Sequence, residues 1–313
     1  MANLTDPIFH DEDASRAHFE AIRWSDGRTC PHCGTIGNST LMQGKTTRAG
    51  LYKCKDCRKP FTATMGTIYE RSHIPLHKWL LATQLICASK KGISAMQLHR
   101  MLGFGSYRTA WFMAHRIREA MKSNDTTPMG SDGGDVFADE TYFGKNPDTP
   151  KSRTAFRSMN QIVTLVDRAT GRSVSIVFDG TITAANITPV LEANIAKEAR
   201  LLTDEARHYR TPGKAFAAHG TVAHARGEYV SRDDRTITTN QIEGFFGIFK
   251  RGMRGIYQHC GKQHLHRYLA EFDFRYTHRE GAGFNDADRT RKAIEGTVGR
   301  RLMYARPSAA GAI

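Results

Sequence analysis

Apolar residues recur at helical spacing between residues 75 and 122. A first stripe follows Pro75 and consists of Leu76, Trp79, Leu80, Thr83, Ile86 and Cys87. Ser94 and Gln97 have the spacing of a capping box, and Leu102-Gly103 ends that helix. Ser106 is placed to cap a third helix, whose stripe is Ala110, Met113, Ala114, Ile117 and Met121. The pattern predicts three helices, the last two joined as a helix-turn-helix.

The pattern changes to short β-rich runs after a polar, Gly-rich linker at residues 123–134. Residues 136–138 lead into Asp139, and the runs at 161–167 and 173–178 form a predicted hairpin. A helix at 184–197, a strand at 199–202 before Asp204, and a helix beginning at Asn240 follow. That last helix has an apolar stripe formed by Ile242, Phe245, Phe246, Phe249 and Met253. The order βββ-α-β-α predicts a ribonuclease H-like domain with a mixed sheet, with acids at the ends of its first and fourth strands.

The chain is strongly basic. Among its 313 residues, 45 are Lys or Arg and 31 are Asp or Glu, a formal net charge of +14 that favours nucleic acid as partner. Glu119 is the only acid between residues 71 and 122. In the third helix Arg108, Trp111, His115 and Arg118 are spaced to share one face, which we interpret as a DNA-binding face. The alternative is a helical linker with a basic surface.

Two features bear on location. No run approaches the about 18 apolar residues that span a bilayer, which excludes a membrane partner. Acidic residues occupy the beginning of the chain, where a secretory signal would be basic and then apolar. We therefore expect a cytoplasmic, nucleoid-associated protein.

Four of the six cysteines form two close pairs. Cys30 and Cys33 are followed by Cys54 and Cys57, which gives C-x2-C…C-x2-C at zinc-ribbon spacing. The pattern predicts one structural Zn²⁺ bound by four thiolates. Buried apolar cysteines would not explain both spacings, and no βαβ pattern supports a redox pair. Cys87 and Cys260 are interpreted as core or unpaired residues.

Three separated carboxylates suggest a catalytic metal site. Asp139, Asp204 and Glu243 supply the oxygen ligands that Mg²⁺ or Mn²⁺ prefers, and phosphodiester chemistry can use two such ions. Each acid also has a structural interpretation. Asp139 could belong to a turn, Asp204 could cap one with its neighbour Glu205 as the ligand, and Glu243 could form a capping box with Asn240.

Cations follow Glu243 along the same predicted helix. Lys250 lies on the face of Glu243 about 10 Å along the axis, and Arg251 and Arg254 continue the basic surface. We expect these three residues to contact DNA phosphates next to the metal site, with Lys250 part of the catalytic machinery.

Residues 24–278 resemble bacterial insertion-sequence transposases of the IS1595 family, which carry an ISXO2-like DDE domain. The resemblance is carried by the four cysteines together with Met65-Gly-Thr-Ile-Tyr-Glu70, Ser72-His-Ile-Pro-Leu-His-Lys-Trp79, Ala138-Asp-Glu-Thr-Tyr-Phe-Gly144, Thr203-Asp-Glu205, and Thr239-Asn-Gln-Ile-Glu-Gly-Phe-Phe246 with Lys250. It implies cleavage at the terminal inverted repeats of a mobile element and joining of 3′-hydroxyl ends to target DNA. It also implies Mg²⁺ or Mn²⁺ and a homo-oligomer on double-stranded DNA.

The resemblance assigns Asp139 and Asp204 to the first two catalytic positions. For the third we favour Glu243 over Asn240, because 38 residues separate Asp204 from Glu243, as in relatives that use an acid. Two other functions fit part of the chain: a DNA-binding regulator with an inactive ribonuclease H-like domain, and a structure-specific nuclease.

The expected architecture is a multi-domain α/β protein. The predicted parts are a lead-in at 1–24, a zinc ribbon at 25–64, a helix-turn-helix segment at 70–125, the ribonuclease H-like domain at 131–280 and a C-terminal tail at 281–313.

Overall fold

The computed structural model describes residues 3–149, 158–223, 230 and 234–303, which form two compact units. The first unit contains residues 3–122 together with residues 285–303, and the second contains the described residues from 123 to 284. Within the part of the chain that is described, no helix is long and apolar enough to cross a membrane.

The first unit begins with a helix and a small antiparallel sheet. Helix α1 (Glu12–Arg23) is capped by Asp11, whose side chain accepts from the backbone N–H of Ala14. Strands β1 (Ser39–Leu41), β2 (Tyr52–Cys54) and β3 (Pro60–Phe61) pair in that order. Phe61 of β3 is buried, and the Tyr52 hydroxyl of β2 donates to Glu20 on α1 at 2.7 Å. This hydrogen bond links the small sheet to α1.

Three helices follow as the apolar stripes predict. They are α2 (Leu76–Ala88), α3 (Ala95–Met101) and α4 (Tyr107–Ala120). Ser94 caps α3 by accepting from Gln97 N–H, and Ser106 caps α4 by accepting from Arg108 N–H. Both predicted N-caps are confirmed, and α3 packs against α4 after a turn that contains Gly103.

The second unit is built on a five-stranded mixed sheet. Its strands are β4 (Asp135–Lys145), β5 (Met159–Asp167), β6 (Ser173–Phe178), β7 (Arg200–Asp204) and β8 (Ala218–Val222). Their order is β6-β5-β4-β7-β8, with antiparallel pairs from β6 to β4 and parallel pairs from β4 to β8. This is the ribonuclease H-like arrangement that the sequence predicted, and β8 is a fifth strand of the sheet that the sequence analysis did not predict.

Helices cover both faces of this sheet. Helix α5 (Ala184–Asn194) buries Ile187 and Leu191 on the face formed by Val136, Ala138 and their neighbours. Helices α6 (Asn240–Gly252) and α7 (Lys262–Thr277) cover the opposite face, which includes Phe137 and Leu202. Alternation along β4 thus sends even-numbered residues toward α5 and odd-numbered residues toward α6.

The segment predicted as a C-terminal tail contains helix α8 (Asp286–Glu295), which packs on α2 in the first unit. The Arg289 guanidinium donates to the Cys87 carbonyl at 3.0 Å, and the Thr290 hydroxyl donates to Gln84 at 2.6 Å. Ala293 and Ile294 are buried. The short apolar stripe of α8 lies within a highly charged sequence, which is why the residue pattern did not disclose it.

Candidate active site and zinc site

The four paired cysteines converge in the first unit. Their sulfur atoms all lie within 4.8 Å of one another, with Cys30 Sγ 3.7 Å from Cys57 Sγ and Cys33 Sγ 3.7 Å from Cys54 Sγ. A Zn–S distance of about 2.3 Å places the sulfurs of a regular tetrahedron about 3.8 Å apart. The four thiols therefore fit one tetrahedral Zn²⁺.

Backbone turns after each pair bring the sulfurs together. Gly34 and Arg58, each directly after the second cysteine of a pair, have positive φ angles of 79° and 59°. The Gly34 N–H donates to the Cys30 carbonyl at 2.9 Å, which closes the first turn. His32 Nε2 lies 3.2 Å from the carbonyl oxygen of Pro60 in β3. The His32 ring therefore contacts the backbone of β3, and the four sulfurs make up the cluster without it.

Asp139 and Asp204 lie side by side in the second unit. The parallel register pairs Phe137 with Leu202, so its continuation brings Asp139 next to Asp204 on the sheet face that α6 covers. Asp204 is the last residue of β7, as predicted, whereas Asp139 lies in the middle of β4. The expectation that the first strand ends at Asp139 is wrong, because polar residues of β4 continue to pair with β5 as far as Lys145.

Glu140 joins these two acids. Asp139, Glu140 and Asp204 each offer a carboxylate oxygen within 4.8 Å of the others, whereas Glu205 is exposed and lies outside this acidic cluster. Sequence reasoning missed Glu140 as a site residue, since alternation places it on the opposite face from Asp139. Because β7 stops at Asp204, Glu140 can reach the cluster where the neighbouring strand has ended.

The acidic cluster disfavours its own ionisation. Burial and, after it, the nearby charges of Glu140 and Asp204 together raise the pKa of Asp139 to about 8, with a smaller contribution from Glu243. Crowded carboxylates of this kind are unfavourable in the folded protein until a cation neutralises them. The donor set is all oxygen, which is the chemistry that Mg²⁺ and Mn²⁺ select.

Glu243 lies in the first turn of α6. Its Oε1 accepts from the Thr239 hydroxyl at 2.9 Å, and its charge acts on Asp139. Thr239, not Asn240, is the N-cap residue, and Asn240 is exposed at the first helical position. The capping-box interpretation of Glu243 with Asn240 is therefore wrong, because Thr239 is the N-cap and the Asn240 N–H donates to the Thr238 hydroxyl at 3.2 Å.

Contacts on both sides hold the beginning of α6. The Tyr276 hydroxyl of α7 donates to the Gln241 carbonyl at 2.9 Å. Ahead of the helix, Arg200 forms a bidentate pair with Asp135 at 2.7 and 2.8 Å and reaches Asp234 at 3.2 Å. These contacts fix the segment that leads into Glu243 against the sheet.

Lys250 lies two turns further along α6 and is partly buried. Burial lowers its pKa, Arg254 lowers it further, and Asp139 acts in the opposite direction, so the ammonium group is under the influence of the acidic cluster. Its Nζ atom lies 5.9 Å from the centroid of the Phe246 ring. Arg251 and Arg254 are exposed at the end of the helix, where Arg251 also donates to the Gly247 carbonyl.

The four residues predicted to share a DNA-binding face on α4 do not do so. Arg108 is exposed and Trp111 is partly exposed, but His115 and Arg118 are 1% and 2% exposed. The predicted face is wrong for these two residues because α4 also packs against α2 and α8. His115 lies edge-on to the Trp111 ring with 4.2 Å between ring centroids, which makes it a packing residue.

Comparisons with known proteins agree with this arrangement. Residues 133–277 match the family model of the ISXO2-like transposase domain, and residues 10–60 match that of the transposase zinc-ribbon domain. A zinc ribbon together with an acidic ribonuclease H-like domain defines the class: the protein is a transposase. Both matches are to IS1595 models, and the chain belongs to the IS1595 transposase family.

A curated relative comes from a mobile element. The chain is 26% identical over 272 residues to an uncharacterized protein in transposable element ISH50 of Halobacterium salinarum, covering 81% of this chain and 87% of the relative. A solved structure of the simian T-cell lymphotropic virus intasome with PP2A regulatory subunit B56 gamma is also similar, at 14% identity. That match covers 56% of this chain and 67% of the viral chain with a TM-score of 0.29, too low to transfer any property.

Proposed function

We propose that this transposase cleaves the ends of an insertion sequence and joins their 3′-hydroxyl groups to target DNA. The observation that carries the proposal is the position of Asp139 and Asp204 on adjacent parallel strands, with Glu243 on the helix that covers them. Burial and mutual repulsion make the ionised carboxylates unfavourable without a cation. Such a group of carboxylates suits divalent cations and the phosphodiester groups that these cations bind.

Asp139, Asp204 and Glu243 would hold Mg²⁺ or Mn²⁺. When bound, the ions supply activation of the attacking oxygen and stabilisation of the leaving oxygen. Asp139 and Asp204 would supply carboxylate ligands from adjacent strands, and the Thr239 hydroxyl would orient Glu243 by donating to its carboxylate. Lys250 is partly buried, and the charge of Asp139 acts on its ammonium group. We assign to it the positioning of a phosphate at the edge of the site.

The first unit would recognise double-stranded DNA. We assign a structural Zn²⁺ to Cys30, Cys33, Cys54 and Cys57, since their sulfur spacing suits that ion. Arg108, at the beginning of α4, is the exposed cation of the predicted DNA-binding face and is assigned to a phosphate or base. In the second unit, the exposed residues Arg251 and Arg254 are assigned to DNA phosphates. The terminal inverted repeats and target DNA are the proposed partners, with the protein acting as a homo-oligomer.

Three activities measured on the same preparation test this function. The full chain, loaded with zinc, is assayed for binding, cleavage and strand transfer on duplexes made from the DNA that flanks its coding region. Metal-dependent cleavage and joining support the proposal. Cleavage with no joining of 3′-hydroxyl ends would indicate a nuclease, and sequence-specific binding with neither reaction would indicate a regulator.

A further inference from the structure

Glu140 has a support of its own beside the catalytic acids. The Tyr209 hydroxyl donates to Glu140 Oε2 at 2.9 Å, and His208 Nε2 lies 3.3 Å from Glu140 Oε1. Tyr209 is fully buried, and its ring packs in the core beneath α5. Both supporting residues belong to the short helical turn Arg207–Tyr209, which begins three residues after Asp204.

This support holds a carboxylate where an isolated one would be unfavourable. The Glu140 side chain is 12% exposed and lies with Asp139 and Asp204 in the acidic cluster. A Glu in a strand can turn away from a neighbouring acid by changing its side-chain rotamers, but the hydrogen bond from Tyr209 holds Glu140 Oε2, and His208 Nε2 lies beside Oε1. Fixed ligand orientation through a second set of hydrogen bonds is typical of metal sites.

We propose that Glu140 is a fourth carboxylate of the catalytic metal site and that Tyr209 and His208 are the positioning residues that aim it. This inference rests on the proposed function. The ligand is a divalent cation with hard, oxygen-preferring chemistry, Mg²⁺ or Mn²⁺. The turn that follows the ligand Asp204 then orients a further ligand, Glu140, on the neighbouring strand β4.

Mn²⁺ binding to the full, zinc-loaded chain tests the inference without relying on catalysis. Free Mn²⁺ is measured by electron paramagnetic resonance for the wild type and for Glu140→Gln, with Glu205→Gln as the matched control because Glu205 is exposed and outside the acidic cluster. We expect Glu140→Gln to weaken Mn²⁺ binding by about tenfold or more. The control should bind Mn²⁺ like the wild type.

Thermal unfolding without Mn²⁺ separates this role from a purely structural one. In Glu140→Gln the amide oxygen of the new side chain would still accept from the Tyr209 hydroxyl, so the variant should unfold at or above the wild-type temperature. A lower unfolding temperature combined with wild-type Mn²⁺ affinity would mean that Glu140 only ties the turn to β4, and would overturn the inference.

Tyr209→Phe provides an independent variant, because it keeps every carboxylate and removes one hydroxyl. We expect a loss of Mn²⁺ affinity of about tenfold, and wild-type affinity in this variant would refute the positioning role.

Asp139→Asn distinguishes failure of the role of Glu140 from failure of the proposed metal site. If Asp139→Asn weakens Mn²⁺ binding and Glu140→Gln does not, only the role of Glu140 fails. If neither variant weakens it, the proposed metal site fails as well.

Discussion

Replacing Asp139 with Asn should stabilise the metal-free protein while it abolishes catalysis. Burial and the charges of neighbouring carboxylates destabilise the ionised form of Asp139 and raise its pKa from 3.8 to about 8. At about 1.4 kcal/mol per pKa unit, the folded state at pH 7.5 bears an unfavourable contribution of roughly 5 kcal/mol. Side-chain movement and entering water reduce this upper value, so we expect a gain of about 2 to 4 kcal/mol.

The pH dependence gives this prediction its sign. A carboxyl group whose pKa is higher in the folded state binds its proton more tightly there, so its favourable contribution is complete below pH 3.8 and is lost as the pH rises toward 8. The stability difference between Asp139→Asn and wild type should therefore be smaller at pH 6 than at pH 8. For a unit of this size, the gain raises the unfolding temperature by roughly 5 to 15 °C.

Scanning calorimetry in buffer free of Mg²⁺ and of chelators, which keeps the zinc bound, measures the transition of the catalytic unit. Adding Mn²⁺ should stabilise the wild type and leave Asp139→Asn almost unchanged, because the variant has lost a ligand. A variant that unfolds below the wild type, or a stability difference that stays constant from pH 6 to pH 8, would refute the reasoning about the acidic cluster.

The remaining predictions separate the other parts of the protein. Cys54→Ser should lose its zinc, measured by metal analysis, and unfold the ribbon while the transition of the catalytic unit persists, because ribbon folding depends on the metal. Arg118→Ala should lower stability by about 2 kcal/mol or more, since its side chain is buried. Arg108→Ala should fold normally but weaken DNA binding and reduce its dependence on salt concentration. Lys250→Ala should slow strand transfer without changing Mn²⁺ affinity, and a loss of Mn²⁺ binding there would contradict its assignment to phosphate.

Local patterns predicted most elements because each one follows from short-range chemistry. The apolar stripe of α6 is buried as predicted, and Ser94 and Ser106 cap the expected helices. The x2 spacing within each pair likewise identified the four cysteines whose sulfurs lie within 4.8 Å of one another. In each case the signal lies within a few residues, and tertiary packing strengthens it.

Features that depend on packing between distant segments were missed. The short strand β8 has weak β-character, and its place beside β7 depends on parallel pairing across the segment that follows Asp204. His115 and Arg118 lie on α4, which packs against α2 and also against α8, a helix more than 150 residues further along the chain in the same unit. Glu140 enters the acidic cluster because β7 ends at Asp204 while β4 continues. Local periodicity does not predict the length of one strand relative to its neighbour.

The most direct test of the central claim is strand transfer from pre-cleaved element ends with Mg²⁺ or Mn²⁺. The wild type should join the 3′-hydroxyl ends to a target plasmid, and Glu243→Gln should bind the ends normally but form no joined product. Asn240→Ala serves as the matched control, because Asn240 is exposed three residues away on the same helix turn, and it should retain activity. Normal joining by Glu243→Gln with loss in Asn240→Ala would contradict the assignment of the third acid, and no joining by the wild type on its own ends would contradict the proposed reaction.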